Sequence, residues 1–158
     1  MQYAERLIQP LTQKELEALA DALTNDDWYI DSGMFRAFLF ICETGLSWED
    51  VNLLKWTQID RDKGLLIHDY DRLGGQPAMK LSELALSYLP AQESDKVFPN
   101  LYLGGVTRPK RRDARCNIDL YIWAKKAKLK RDFCYYAALT TFVAQKLSML
   151  IGGQRNCR

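Results

Sequence analysis

Thr44-Gly45-Leu46-Ser47-Trp48-Glu49-Asp50-Val51, followed by Leu54-Lys55-Trp56 and Ile59-Asp60, is the stretch on which the reading of this chain turns. It ends one helix, starts a second and passes into extended chain. Upstream, Met34 to Cys42 carries Phe35, Phe38, Leu39 and Ile41 and has the length and apolar density of a buried helix. Thr44-Gly45 stops it, glycine being suited to a C-terminal cap. Ser47 offers a hydroxyl to cap the next helix, and Asp50 lies three residues on, near the positive end. Trp48, Val51 and Leu54 then face the core.

Beyond this stretch the pattern shortens. Trp56 to Ile59, Leu65 to His68 and Pro77 to Leu81 are predicted strands, with Asp62-Lys63-Gly64 and Gly74-Gly75 as turns. They make a small antiparallel sheet of two or three strands. Ser82 caps a helix through Leu89, which Pro90 ends, and Val97-Phe98-Pro99 is a short extended segment. Gly104-Gly105 opens a loop rich in Arg and Lys. Asp113 to Ala127 predicts an amphipathic helix with Ile118, Tyr121 and Ile122 inside, and Phe133 to Ile151 another, ended by Gly152-Gly153. On the N-terminal side, Thr12-Gln13-Lys14-Glu15 has capping-box spacing ahead of Leu16, Leu19, Ala20 and Leu23. The order of elements predicts a mostly α fold with a small antiparallel β-sheet, in the α+β class.

A length of 158 residues suits one domain with a real core, and 47% hydrophobic with 27% charged residues is an ordinary globular balance. The sequence has neither a long apolar run nor the apolar core of a signal peptide at its start, so a cytoplasmic location is expected. Cys42, Cys116, Cys134 and Cys157 form no CxxC pair and His68 is the sole histidine, which argues against a zinc site; no metal or cofactor is expected. Cys42 and Cys134 sit in apolar runs and read as buried free thiols. His68 reads as a surface or packed residue, and Trp48 and Trp56 as core residues.

The charge is segregated. Through Leu103 there are 9 Lys+Arg against 17 Asp+Glu, a balance of −8; from Gly104 onward there are 13 against 3, a balance of +10. A strongly basic part beside an acidic one points to a polyanion on the basic side.

The Thr44–Asp60 stretch resembles the first conserved box of the tyrosine recombinases, the phage-integrase family. Leu11-Thr12 with Glu15-Leu16 is similar to the helix opening that family's catalytic domain. Arg72 to Ser82 resembles its β-hairpin, Val97-Phe98-Pro99 the strand after it, and Asp119 to Lys128 the helix before the second box. Thr141-Phe142 matches the end of that second box, His-x-x-Arg-His followed by Thr-Phe. The resemblance implies a domain over 11–153, an N-terminal arm or linker over 1–10 and a tail over 154–158.

The resemblance also says which positions should carry the chemistry, and they do not. Ser47 stands where the family has an arginine, Arg72 where it has the hairpin lysine, and Tyr136, Leu139 and Thr140 where it has histidine, arginine and histidine. No tyrosine follows Tyr136 to act as nucleophile. The family transfers a DNA phosphoryl group to a tyrosine hydroxyl, and two arginines neutralise the charge gathering on the phosphate oxygens. Ser47 and Leu139 bring no charge, and an arginine at position 72 is a poor proton donor to a leaving oxygen. The expectation is a domain that does not cut DNA, either a pseudoenzyme in use or the decaying remnant of a mobile element.

DNA binding is expected to remain. Arg108, Lys110, Arg111, Arg112 and Arg115 form one basic cluster, and Lys125, Lys126, Lys128, Lys130 and Arg131 a second. With Arg72 they are the expected phosphate contacts, giving weak, salt-sensitive binding to double-stranded DNA. A charged face that merely meets water is the competing reading, and with it a protein-interaction module that no longer binds DNA. An active recombinase is a further expected partner, a membrane is not, and a monomer in isolation is expected.

Overall fold

The computed structural model describes residues 3–23, 33–67, 78–99, 101 and 115–155. Helices α1 (Tyr3–Leu7), α2 (Gln13–Leu23), α3 (Gly33–Thr44) and α4 (Trp48–Leu53) come first. Strands β1 (Ile59–Asp60), β2 (Leu65–Ile67) and β3 (Ala78–Lys80) follow, then α5 (Glu83–Ser87), α6 (Arg115–Lys126) and α7 (Ala137–Arg155). The fold is mostly helical with a small antiparallel sheet of order β1-β2-β3, in which Leu66 pairs with Ile59 on one side and Met79 on the other.

α3 is the centre. Its residues Met34, Phe35, Phe38, Leu39, Phe40 and Ile41 are all buried, Arg36 and Glu43 reach the surface, and α2, α4, α5 and α7 pack on it. Phe38 is ringed by Trp123 at 5.8 Å, Phe133 at 5.0 Å and Trp48 at 6.4 Å between ring centroids. The two indoles reach the core only because each N–H finds a carbonyl: Trp123 Nε1 donates to Leu19 O (3.1 Å) and Trp48 Nε1 to Tyr135 O (2.8 Å). Cys42 and Cys134 are buried free thiols, as expected.

The helix caps form where the sequence places them. The backbone N–H of Glu15 donates to Thr12 Oγ1 (3.2 Å) while that of Thr12 donates to Glu15 Oε2 (2.8 Å), a reciprocal capping box. Ser47 and Ser82 accept from the backbone N–H of Asp50 and Ala85.

Four expectations need correction. In α6 the buried residues are Leu120, Trp123 and Ala124, while Ile118, Tyr121 and Ile122 are exposed. Both stripes have helical spacing; the large indole, with Leu19 O waiting for its N–H, decides which turns inward. The last helix begins at Ala137, not Phe133, because the backbone before it is committed elsewhere. Cys134 N donates to Leu7 O, Tyr135 N to Asn117 Oδ1, and Tyr135 O takes the Trp48 indole. The same helix runs through Gly152-Gly153 to Arg155 rather than ending there. Trp56 to Gln58 is a 3-10 turn, with only Ile59–Asp60 extended, since Gln58 Oε1 folds back to the N–H of Lys55 (2.9 Å); Trp56 is half-buried. His68, Pro77, Gly74-Gly75 and Gly104-Gly105 lie outside the described residues.

Candidate functional site

The two boxes of the sequence meet. Gly45 ends α3 with φ +71° and its N–H on Ile41 O (2.9 Å), the left-handed cap that favours glycine. The ring of Phe142, from the second box, lies against it: a Cβ at position 45 would fall 2.4 Å from Phe142 Cε1. A second tie is the Trp48 indole on Tyr135 O. Thr-Gly-Leu and Thr-Phe therefore share one junction, between the end of α3 and the start of α7.

Both box threonines are buried and serve the backbone. Thr44 Oγ1 donates to Phe40 O (2.8 Å). Thr141 Oγ1 donates to Ala137 O (2.6 Å) and accepts from the N–H of Leu11 (2.9 Å). The positions where charged or titrating groups were sought have structural work as well. Ser47 Oγ caps α4. Leu139 packs on the core, half-buried. Thr140 Oγ1 donates to Ile8 O, and the exposed Tyr136 ring lies tilted by 34° against that of Tyr135, 4.2 Å between centroids. Arg72 lies outside the described residues.

The second basic cluster occupies the end of α6 and the turn after it. Cations there favour the negative pole of the helix, a structural reason for some of them. Lys128 is the αL residue of the cap (φ 58°): its N–H donates to Lys125 O and that of Leu129 to Ala124 O, a Schellman pattern with lysine where glycine is usual. Lys128 and Lys130 are exposed. Lys125 Nζ lies 3.3 Å from Asp132 Oδ1 and over the Tyr121 ring at 5.1 Å; its side chain is half-exposed, so this pair is weak and can yield to a phosphate. Lys126 is half-buried.

Arg131 is reassigned. Its Nε and one terminal nitrogen donate to Glu15 Oε1 and Oε2 (3.0 Å each), and that same nitrogen reaches Pro10 O (2.6 Å). The other donates to Gln9 O (3.4 Å). The fork is spent on the chain itself, so Arg131 staples the 9–11 segment rather than awaiting a phosphate. The hydrogen bond from Arg131 holds the Glu15 carboxyl below the usual carboxylate range. Of the first cluster, Arg115 opens α6, its side chain outside the description, and Arg108, Lys110, Arg111 and Arg112 lie outside the described residues.

Sequence reasoning missed Glu43. It lines a cleft of about 270 Å³ with Gln13, Glu17, Asp21, Cys42 and Tyr88. Burial raises the Glu43 carboxyl against the opposing pull of Ser82 and Lys146. Burial also pushes the Tyr88 phenol up to about 12 and raises the Cys42 thiol. The Tyr88 phenol and the Cys42 thiol of this cleft stay protonated at neutral pH, where a nucleophile would need to ionise. The signal in the sequence was a single carboxylate in an apolar helix, between Cys42 and Thr44.

No family model and no curated protein matches the sequence. Among solved structures the fold is similar to that of XerA recombinase, with a TM-score of 0.61 over 88% of this chain and 16% identity. The match spans 49% of the XerA chain, so this domain corresponds to about half of that protein's length. The likeness is one of fold.

Proposed function

We propose that this chain is a catalytically degenerate, tyrosine-recombinase-like domain that binds duplex DNA without cutting it. The observation that carries the reading is the junction of the two boxes on a recombinase-like fold. Gly45 and Phe142 are in contact there, yet Ser47 is a helix cap and Leu139 is packed on the core. A phosphodiester approaching that junction would meet a hydroxyl and a hydrocarbon in place of two guanidinium forks. Loss of one preorganised donor from an oxyanion hole costs about 2.7–4 kcal/mol of barrier, and here two charged stabilisers are replaced.

DNA binding rests on the charge segregation and on Lys125, Lys128 and Lys130, exposed at the end of α6. Each cation that neutralises a phosphate releases counterions, so binding weakens steeply with salt and is largely indifferent to sequence. Arg72, Arg108, Lys110, Arg111, Arg112 and Arg115 extend the proposed contact set; Arg131 is left out of it. An assembly with an active recombinase on the same DNA is the role that fits a binder without chemistry.

The test is fluorescence anisotropy of a labelled duplex at low and at physiological salt, beside a variant with Arg108, Lys110, Arg111 and Arg112 changed to Glu. Salt-sensitive binding that the variant loses supports the proposal. No binding at low salt sinks it and leaves an interaction module that has given up DNA. Covalent protein on a nicked duplex would refute the degenerate half of the proposal.

A further inference from the structure

A helix on the surface of a water-soluble domain turns an apolar stripe inward and a polar face outward. α7 breaks this rule. Ala137, Ala138 and Thr141 face the body, with Phe142 against Gly45. On the far side, Val143, Leu147 and Leu150 follow at helical spacing and are 53%, 54% and 68% exposed. Ile151, also exposed, widens the patch, while the exposed Met149 lies on the other flank of the helix. Leu147 to Gln154 contains no charged residue. Lys146, just before it, lies over the Phe142 ring at 5.5 Å and acts on Glu43, so its charge belongs to the body side.

We propose that this face receives a second copy of the chain, two α7 helices packing about a two-fold axis. A two-fold contact needs a protrusion and its receptor on the same patch. α7 has both. The ridge Val143-Leu147-Leu150 stands beside an open groove lined by Ala144, Ser148 and Gly152, with Leu147 and Ile151 as its walls. The space at Gly152 is empty to 4 Å, leaving room for a side chain of the other copy. The uncharged stretch lets two copies meet without like-charge repulsion, although the part of the chain from Gly104 onward, which carries it, is basic.

The area fits a weak dimer. Half-exposed aliphatic side chains of this size each offer about 80–100 Å². Val143, Leu147, Leu150 and Ile151 give about 320–400 Å² per copy and about 640–800 Å² in all, below the size of stable interfaces and in the range of weak, transient ones. A weak, reversible dimer is expected in place of the monomer that the resemblance implies; area does not fix its Kd, and about 10–100 μM is the range in which to look for it.

Sedimentation velocity of the whole chain without DNA, from about 5 to about 300 μM, spans that range. The expected result is a sedimentation coefficient rising from the monomer to the dimer value, with Leu147→Glu/Leu150→Glu staying monomeric and keeping its circular dichroism. A wild-type chain monomeric throughout overturns the proposal. So does a dimer that survives in the variant, or growth beyond two copies, which a closed two-fold contact forbids. If the double variant does not fold, Leu150→Cys answers instead: a disulfide dimer absent from the oxidised parent supports the paired helices, and no such dimer overturns them.

Discussion

Changing Gly45 to alanine tests whether the junction of the two boxes is as tight as it looks. Two costs arise. An L-residue held at φ +71° loses about 1–2 kcal/mol relative to glycine. The added methyl also falls 2.4–2.8 Å from three carbons of the Phe142 ring, so the ring, wedged between α3 and α7, has to move. Overpacking of that kind costs about 1–3 kcal/mol. Together the substitution should destabilise by about 2–5 kcal/mol, a large part of the 5–15 kcal/mol typical of a domain. For a chain of this length each kcal/mol lowers Tm by about 2–4 °C, so a loss of about 4–20 °C is expected. Urea unfolding of the parent, Gly45→Ala, Phe142→Leu and the double variant separates the terms. In the Phe142→Leu background the cost of Gly45→Ala should shrink to the conformational 1–2 kcal/mol, roughly. If Gly45→Ala costs less than about 1 kcal/mol, or the same with and without the ring, Phe142 does not sit where the argument needs it.

Two more predictions concern the segment joining α6 to α7. Glu15→Gln removes the carboxylate from the Arg131 fork and should cost about 1.5–3 kcal/mol at pH 7. Because the folded Glu15 carboxyl lies below its unfolded value of about 4.3, that stability is complete above this value and is lost as pH falls through the folded one. The gap between parent and variant in urea midpoint should therefore close on acidification, and a gap unchanged down to the acid limit would count against the staple. Lys128→Gly should stabilise by about 0.5–1 kcal/mol by relieving the αL lysine, read as a raised Tm; a lowered Tm would mean that the lysine side chain holds the turn.

Helix ends were legible where side chains close them locally. Thr12, Ser47, Ser82 and Gly45 each act within a few residues, so spacing alone places them. The α6 face was not legible, because two stripes have the same period and the choice depends on Leu19, over a hundred residues away. The start of α7 failed for the same reason: Cys134 and Tyr135 give their backbone groups to Leu7, Asn117 and Trp48. At the site, the motif residues could be read in order, and the Gly45–Phe142 contact accounts for their company. Arg131 reads as one basic residue in a run; only its partners reveal a staple. Glu43 stands out in the sequence only as a lone carboxylate in an apolar helix, and the cleft gives that position its meaning.

The segment from Leu7 to Leu11 is fastened almost entirely by residues from the other end of the chain: Cys134, Thr140, Thr141 and Arg131. The Leu11–Thr141 bond alone closes a separation of 130 residues. Such long-range closure is slow and yields nothing until the last participants arrive. During synthesis the 7–11 segment must therefore wait, its partners unmade, until α7 has left the ribosome. The 7–11 segment, made before its partners, is among the last to find its place.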